Sequence, residues 1–362
     1  MKNVLFPLLR LGLDNSTTDE ENLSGIIIQS AKKWDDLGDL AREQGVLGFL
    51  MDGVEKLEGT RYGATRELNL DTKLEWIGEV IQMEQINRQQ ICVMNELAER
   101  WKQNGCRVMV MKGQANAITY PRPEHRSSGD IDCYLFGKYL EGNDIAREAG
   151  ISVDDSWYKH SIIDYKGETF ENHQYFVHTR EGKRSKMLEK ELEEALNVDE
   201  SEFKPLSEST VIPPVQWTAM FLTYHACAHF LIEGLKLKQV LDWAMFLKTH
   251  QNDVDWNAFY SFCGRYHLKR FADAITAICC EYLGIKIANA DIESKSAYSE
   301  KILKSVLYDD DYIYGQNTGW GEKWHVLKNL FRYRWKYNEI YEESIWKQLW
   351  YYSTGYIFKT ES

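Results

Sequence analysis

The chain has 362 residues, a formal net charge of −12, 44% apolar and 27% charged residues, the balance of a soluble globular protein. That acidity argues against a protein that coats nucleic acid, because neutralising phosphates takes a basic face. Seven cysteines without a repeated spacing predict reduced thiols and a cytoplasmic setting, and the apolar run from Met1 to Leu13, broken by Pro7 and Arg10, is too short to span a membrane.

Residues 1–104 read as a helical region. From Trp34 to Leu57, apolar residues recur at Leu37, Leu40, Val46, Leu47 and Leu50, with Gly45 and Gly48 marking a break between two helices. Asp71 is the expected N-cap of a long helix carrying Leu74, Ile77, Ile81, Ile86, Met94, Leu97 and Trp101, and Gly105 is its natural stop. A periodic apolar stripe of this kind predicts a scaffold packed on a core.

Residues 105–205 change character. Cys106 to Met111 is β-rich, Lys112-Gly113 breaks the run, and Gln114 to Tyr120 has helical composition up to Pro121. A polar stretch, Arg122 to Gly129, leads to a second apolar strand over Ile131 to Phe136. Asp130 and Asp132 are two apart, so they share one face while Ile131 points into the core. Paired carboxylates repel unless a positive charge lies between them, and a hard divalent cation is the usual partner. The glycine turn lets a phosphate approach the backbone closely. Leu140 to Ala149 then reads as a helix, and Trp157 to Asp164 and Thr169 to Val177 as two strands joined at Lys166-Gly167. On the second of these, Glu171, His173 and Tyr175 share a face.

Strand, glycine turn, helix and a second strand with Asp-x-Asp resemble the polymerase-β-like nucleotidyltransferase superfamily, and within it a family of uncharacterised bacterial nucleotidyltransferases. The matching residues are Lys112-Gly113, Tyr120-Pro121, Arg126 and Asp130-Ile131-Asp132. Gln114 departs from the superfamily, which usually has Gly or Ser there. The resemblance implies an α/β (α+β) fold: a small mixed-sheet core flanked by helical regions. It implies Mg²⁺ (or Mn²⁺) held by Asp130, Asp132 and a third carboxylate, Glu171, as the catalytic set. Lys112, Gly113, Arg126 and Ser128 would contact the nucleotide. The family's Glu-x-His pattern matches Glu171-Asn172-His173, and His160 matches a further histidine, so His160 and His173 are expected to line the cleft. The implied partners are an NTP and an acceptor, small or macromolecular, that the sequence does not name.

Met187 to Leu196 reads as a charged, solvated helix, and the prolines at 205, 213 and 214 place a boundary before a C-terminal helical region, residues 206–362. His225 and His229 have the spacing of a metal pair on one helix face, but without the glutamate of the zinc protease motif they read first as packed, hydrogen-bonded histidines. By resemblance, His229 and Asp242 line or brace the cleft. From Trp320 the tail interleaves Lys328, Arg332, Arg334 and Lys336 with aromatic residues, a pattern read as an amphipathic helix packed on the body.

Three functional readings follow. The first is an enzyme moving a nucleoside monophosphate from an NTP to an acceptor. The second is a non-catalytic nucleotide-sensing or partner-binding protein on the same fold. The third is a metal hydrolase built on His225 and His229.

Overall fold

The computed structural model describes residues 1–14, 31–58, 68–179, 182–232, 234–308 and 331–347. Helices α1 (Lys2–Gly12), α2 (Ala31–Glu43) and α3 (Leu47–Glu58) open the chain. The break between α2 and α3 falls at Gly45, φ +68°. Gly48 instead lies inside α3, where an added Cβ would meet the His125 carbonyl oxygen at 2.6 Å. Helix α4 (Leu70–Gln103) is 34 residues long. Its N-cap is Asn69 rather than the expected Asp71: the Asn69 side chain accepts the Asp71 N–H at 3.1 Å. Asp71 thereby sits in the first turn, where the helix dipole favours an anion. Gly105, φ +78°, follows the helix end.

A mixed sheet of six strands follows α4, in the order β3-β4-β5-β2-β1-β6. The strands are β1 (Val108–Val110), β2 (Ile131–Tyr134), β3 (Ser152–Asp154), β4 (His160–Tyr165), β5 (Glu168–His173) and β6 (Thr210–Val211). Pairs β2–β5 and β1–β6 are parallel, and the rest antiparallel. The β4–β5 hairpin turns at Lys166-Gly167, with φ +52° and +84°, the left-handed pair that a tight two-residue turn needs. Between β1 and β2 lies α5 (Gln114–Ala117), one turn shorter than the composition suggested. The Thr119 hydroxyl donates to the Asn116 carbonyl at 2.8 Å, taking an acceptor that a continuing helix would use. Strand β6 carries the sheet past residue 205, in a proline-rich stretch read as a boundary.

Helix α6 (Tyr139–Glu148) follows β2. α7 (Lys183–Glu194) has the charge expected of a solvated helix, yet Leu188, Glu189 and Leu192 face inward. The C-terminal region packs α8 (Val215–Ile232), α9 (Leu237–His250), α10 (Trp256–Arg265), α11 (Lys269–Leu283) and α12 (Ser299–Tyr308). One apolar core joins these helices to α1–α3 and reaches the sheet through Met109 and Met111. A second joins α4, through Val93, Met94, Leu97 and Trp101, to Val108, Ile131, Cys133 and Phe170 on the opposite sheet face. In the tail, Tyr333, Lys336, Tyr337 and Ile340 are buried, while Trp346 is exposed. The stretch from Trp320 to Leu330, with Lys328, lies outside the described residues. Among the described residues no helix is long and apolar enough to cross a membrane.

Candidate active site

Strands β2 and β5 run parallel with Asp132 in register with Glu171 and Tyr134 with His173. Because side chains alternate across a sheet, Asp132, Glu171 and His173 emerge on the face away from α4. Asp132 is 1% exposed and pairs with the Lys112 ammonium at 2.7 Å. Asp132 Oδ1 also lies 3.1 Å from His173 Nε2, which is 3.2 Å from Glu171 Oε2. His160, in register with His173 across β4–β5, brings Nε2 to 3.5 Å from Glu171 Oε1.

Charge, rather than apolar contact, organises this face. Burial works against an ionised Asp132, but Lys112 and His173 overcome it and hold the carboxyl well below its ordinary range. Burial and the neighbouring Glu171 and Asp132 charges push Asp130 upward. Burial opposes the charge on Lys112, yet Asp132, Glu171 and Asp130 outweigh it and raise its pKa. Burial likewise opposes protonation of His173, and its bonds to Asp132 and Glu171 prevail, so its pKa is raised. His160 is driven down to about 4, chiefly by burial.

Three further residues join the site from distant parts of the chain. Lys159, immediately before β4, is depressed by burial and lies within electrostatic reach of Glu171, Asp132 and Lys112. His225, on α8, is depressed by burial and by Lys112 and His229. Lys238, on α9, is depressed by burial and Arg126, and faces Asp242 and Asp130. The cleft thus lies between the carboxylate face of the sheet and the first two helices of the C-terminal bundle.

A polar network fixes the loop that leads to Asp130. Gln114 is buried and donates to Asn87 at 3.0 Å and Gln90 at 2.8 Å, both on α4. Asn87 in turn donates to the carbonyls of Glu124 and Arg126, and Gln90 to that of Gly129. The residue that departs from the superfamily pattern therefore serves the scaffold. Arg126 is buried with its fork on Asp242, Nε at 2.8 Å and Nη2 at 2.7 Å. Tyr120 donates to the same carboxylate at 2.8 Å and Asn116 at 3.3 Å.

Of the residues expected from sequence, Asp130, Asp132, Glu171, Lys112, His160 and His173 share the cleft face. Gly113 takes φ +65° at the turn, and Ser128 is half-buried on the loop. Arg126, expected at the nucleotide, instead forms a buried pair with Asp242. His229 Nε2 lies 3.0 Å from His225 Nε2. Among the described residues no third donor gathers with these two; the metal-ligand group that does gather is His160, Glu171 and His173. Lys159, Lys238, Asn87 and Gln90 escaped the sequence reading. Asn87 and Gln90 are three apart on a helix face that otherwise carries Met94 and Leu97, so interrupted apolar periodicity was the one available signal. A separate cavity of about 480 Å³, lined by Met111, Asn116, Asp242 and Phe246 among others, excludes the three carboxylates.

No curated protein and no solved structure matches the chain. A family model described as uncharacterised nucleotidyltransferase matches residues 30–284, a span that contains every cleft residue named above. By that match the chain belongs to the family of uncharacterised nucleotidyltransferases.

Proposed function

We propose that the chain is a metal-dependent nucleotidyltransferase that moves a nucleoside monophosphate from an NTP to an acceptor hydroxyl or phosphate. The supporting observation is the register pairing of Asp132 with Glu171 on adjacent parallel strands, with Asp130 two residues before and the Lys112 ammonium on Asp132. On this reading residues 105–205, completed by β6, form a polymerase-β-like core with helical regions on either side. The donors fit a hard divalent cation, Mg²⁺ or Mn²⁺: carboxylate oxygens dominate, and burial together with Glu171 and Asp132 holds Asp130 upward, a repulsion that a dication relieves. When bound, such a cation polarises the reacting phosphate.

The remaining roles belong to the chain itself. Lys112, Lys159 and Lys238 neutralise phosphate charge as point charges on three sides of the cleft. The turn at Gly113 admits a phosphate close to the backbone, and Ser128 offers a hydroxyl from the loop. Arg126, bound to Asp242, acts by fixing that loop. Glu171 accepts the acceptor's proton as the new oxygen–phosphorus bond forms and the bond to the pyrophosphate oxygen breaks.

Calorimetric titration of NTPs with and without Mg²⁺ tests this reading. Metal-dependent binding at micromolar to millimolar concentration is expected, with labelled nucleotide transferred to an acceptor in cell extract. Absence of nucleotide binding at millimolar concentration would instead support a protein that keeps the fold for a partner.

A further inference from the structure

We infer that His160, Glu171 and His173 form a binding site for a borderline first-row divalent cation of the zinc or cobalt type. The site stands whether or not a nucleotide is the substrate; it shares Glu171 with the carboxylate set and differs from it by two nitrogen donors.

Geometry carries the inference. One ligand atom from each of the three residues lies within 4.8 Å of the others. His173 Nε2 is 3.2 Å from Glu171 Oε2 and His160 Nε2 is 3.5 Å from Glu171 Oε1. Donors bound at about 2.1 Å to one ion sit about 3.0–3.5 Å apart, and Glu171 meets each histidine at such a spacing, with one carboxylate oxygen toward each. Asp132 Oδ1, 3.1 Å from His173 Nε2, stands ready as a fourth donor.

The hydrogen bonds around the rings point the same way. His173 Nδ1 lies 3.1 Å from the Tyr175 carbonyl oxygen. A carbonyl only accepts, so Nδ1 carries the proton, and Nε2 is left facing two carboxylates. A ring fixed through its far nitrogen, with the near one turned to acidic oxygens, is the arrangement of a metal-bound histidine. His160 adds an independent observation. Its Nε2 lies 3.5 Å from Glu171 Oε1, which turns the ring toward the cluster. Unlike that of His173, its buried Nδ1 has no hydrogen-bond partner among the described residues, so the ring's polar contact is with the cluster. Imidazole pairs with a carboxylate favour borderline transition cations, whereas Mg²⁺ prefers oxygen.

The experiment is a Co²⁺ and Zn²⁺ titration of chelator-treated full-length protein, followed by visible absorption and an indicator competition. One equivalent should bind with an intense, low-symmetry Co²⁺ spectrum, at least about tenfold tighter than Mg²⁺. His160→Gln should weaken binding by about 10–100-fold with unchanged circular dichroism. His173→Gln should do the same, but its ring is buried, so the half-buried His160 decides if that variant fails to fold. Asp130→Asn should leave the Co²⁺ spectrum intact, which separates this site from the proposed transfer reaction. A Co²⁺ spectrum like that of the aqueous ion, or wild-type Zn²⁺ affinity in His160→Gln, would overturn the inference and leave His173 as a charged partner of Asp132 and Glu171 only.

Discussion

The two faces of the β2–β5 pair differ in kind. Ile131, Cys133 and Phe170 face α4 and are 0–2% exposed within an apolar core. One residue along, Asp132, Glu171 and His173 face the C-terminal helices and form a charge cluster. The same backbone hydrogen bonds hold both sets, so the scaffold face rests on packing and the cleft face on charge balance. Damage to one should therefore appear in stability, and damage to the other in chemistry.

The largest separation should come from Asp132→Asn. Removing this carboxylate should lower kcat/KM for Mg²⁺-dependent NTP turnover by at least about a thousandfold while the melting temperature moves by only a few degrees. Turnover close to wild type would sink the assignment of Asp132. Phe170→Ala should behave in the opposite way. Phe170 is fully buried and lies edge-on to Trp101, ring centroids 6.3 Å apart, so truncation should cost about 3–5 kcal/mol in urea denaturation. Nucleotide affinity measured well below the melting temperature should stay within about twofold.

Arg126→Lys probes the seam between the faces. Lysine keeps the charge and loses the fork on Asp242, so stability should fall by about 1–3 kcal/mol with KM for NTP unchanged. Wild-type stability with a tenfold higher KM would place the guanidinium on the triphosphate instead. The smallest effect concerns Glu189, whose carboxylate accepts the Phe176 and Val177 N–H groups at 2.9 and 2.8 Å. Burial, only partly offset by those bonds, raises its pKa from 4.5 to about 7. Between about pH 4.5 and 7 the folded chain holds a proton that the unfolded chain has released. This contribution is complete at low pH and is lost as pH rises through 7. Melting temperature should decline from about pH 5.5 to 8, and Glu189→Gln, which cannot ionise, should flatten that decline. Parallel profiles would remove Glu189 from the account.

Period-two alternation was enough to read that Asp130 and Asp132 share one strand face and Glu171 and His173 another, whereas the meeting of the two faces was an implication of the family resemblance. The Lys112-Gly113 break and the stops at Gly45 and Gly105 were readable for a similar local reason: each needs a positive φ that glycine adopts without strain. The two- and three-residue strands β6 and β3 carry no usable period. Lys159 and Lys238 were unreadable as site residues, and His225 was read only as a partner of His229, since sequence does not report what the fold sets opposite each. Arg126 shows the limit most clearly. Its loop suggested an open phosphate contact, and its partner, Asp242, lies 116 residues away.

That partnership bears on how molecules enter and leave. Arg126 belongs to the loop before Asp130 and Asp242 to α9, so the ion pair bridges the two walls of the cleft. Parting the walls would strand two desolvated charges, at about 3–5 kcal/mol. A splayed form would then be populated about two to four orders of magnitude less than the closed one. Substrate exchange by a clam-like hinge would be slow on those terms. Traffic should instead pass through the mouth of the cleft as it stands, with side-chain rotations setting its pace.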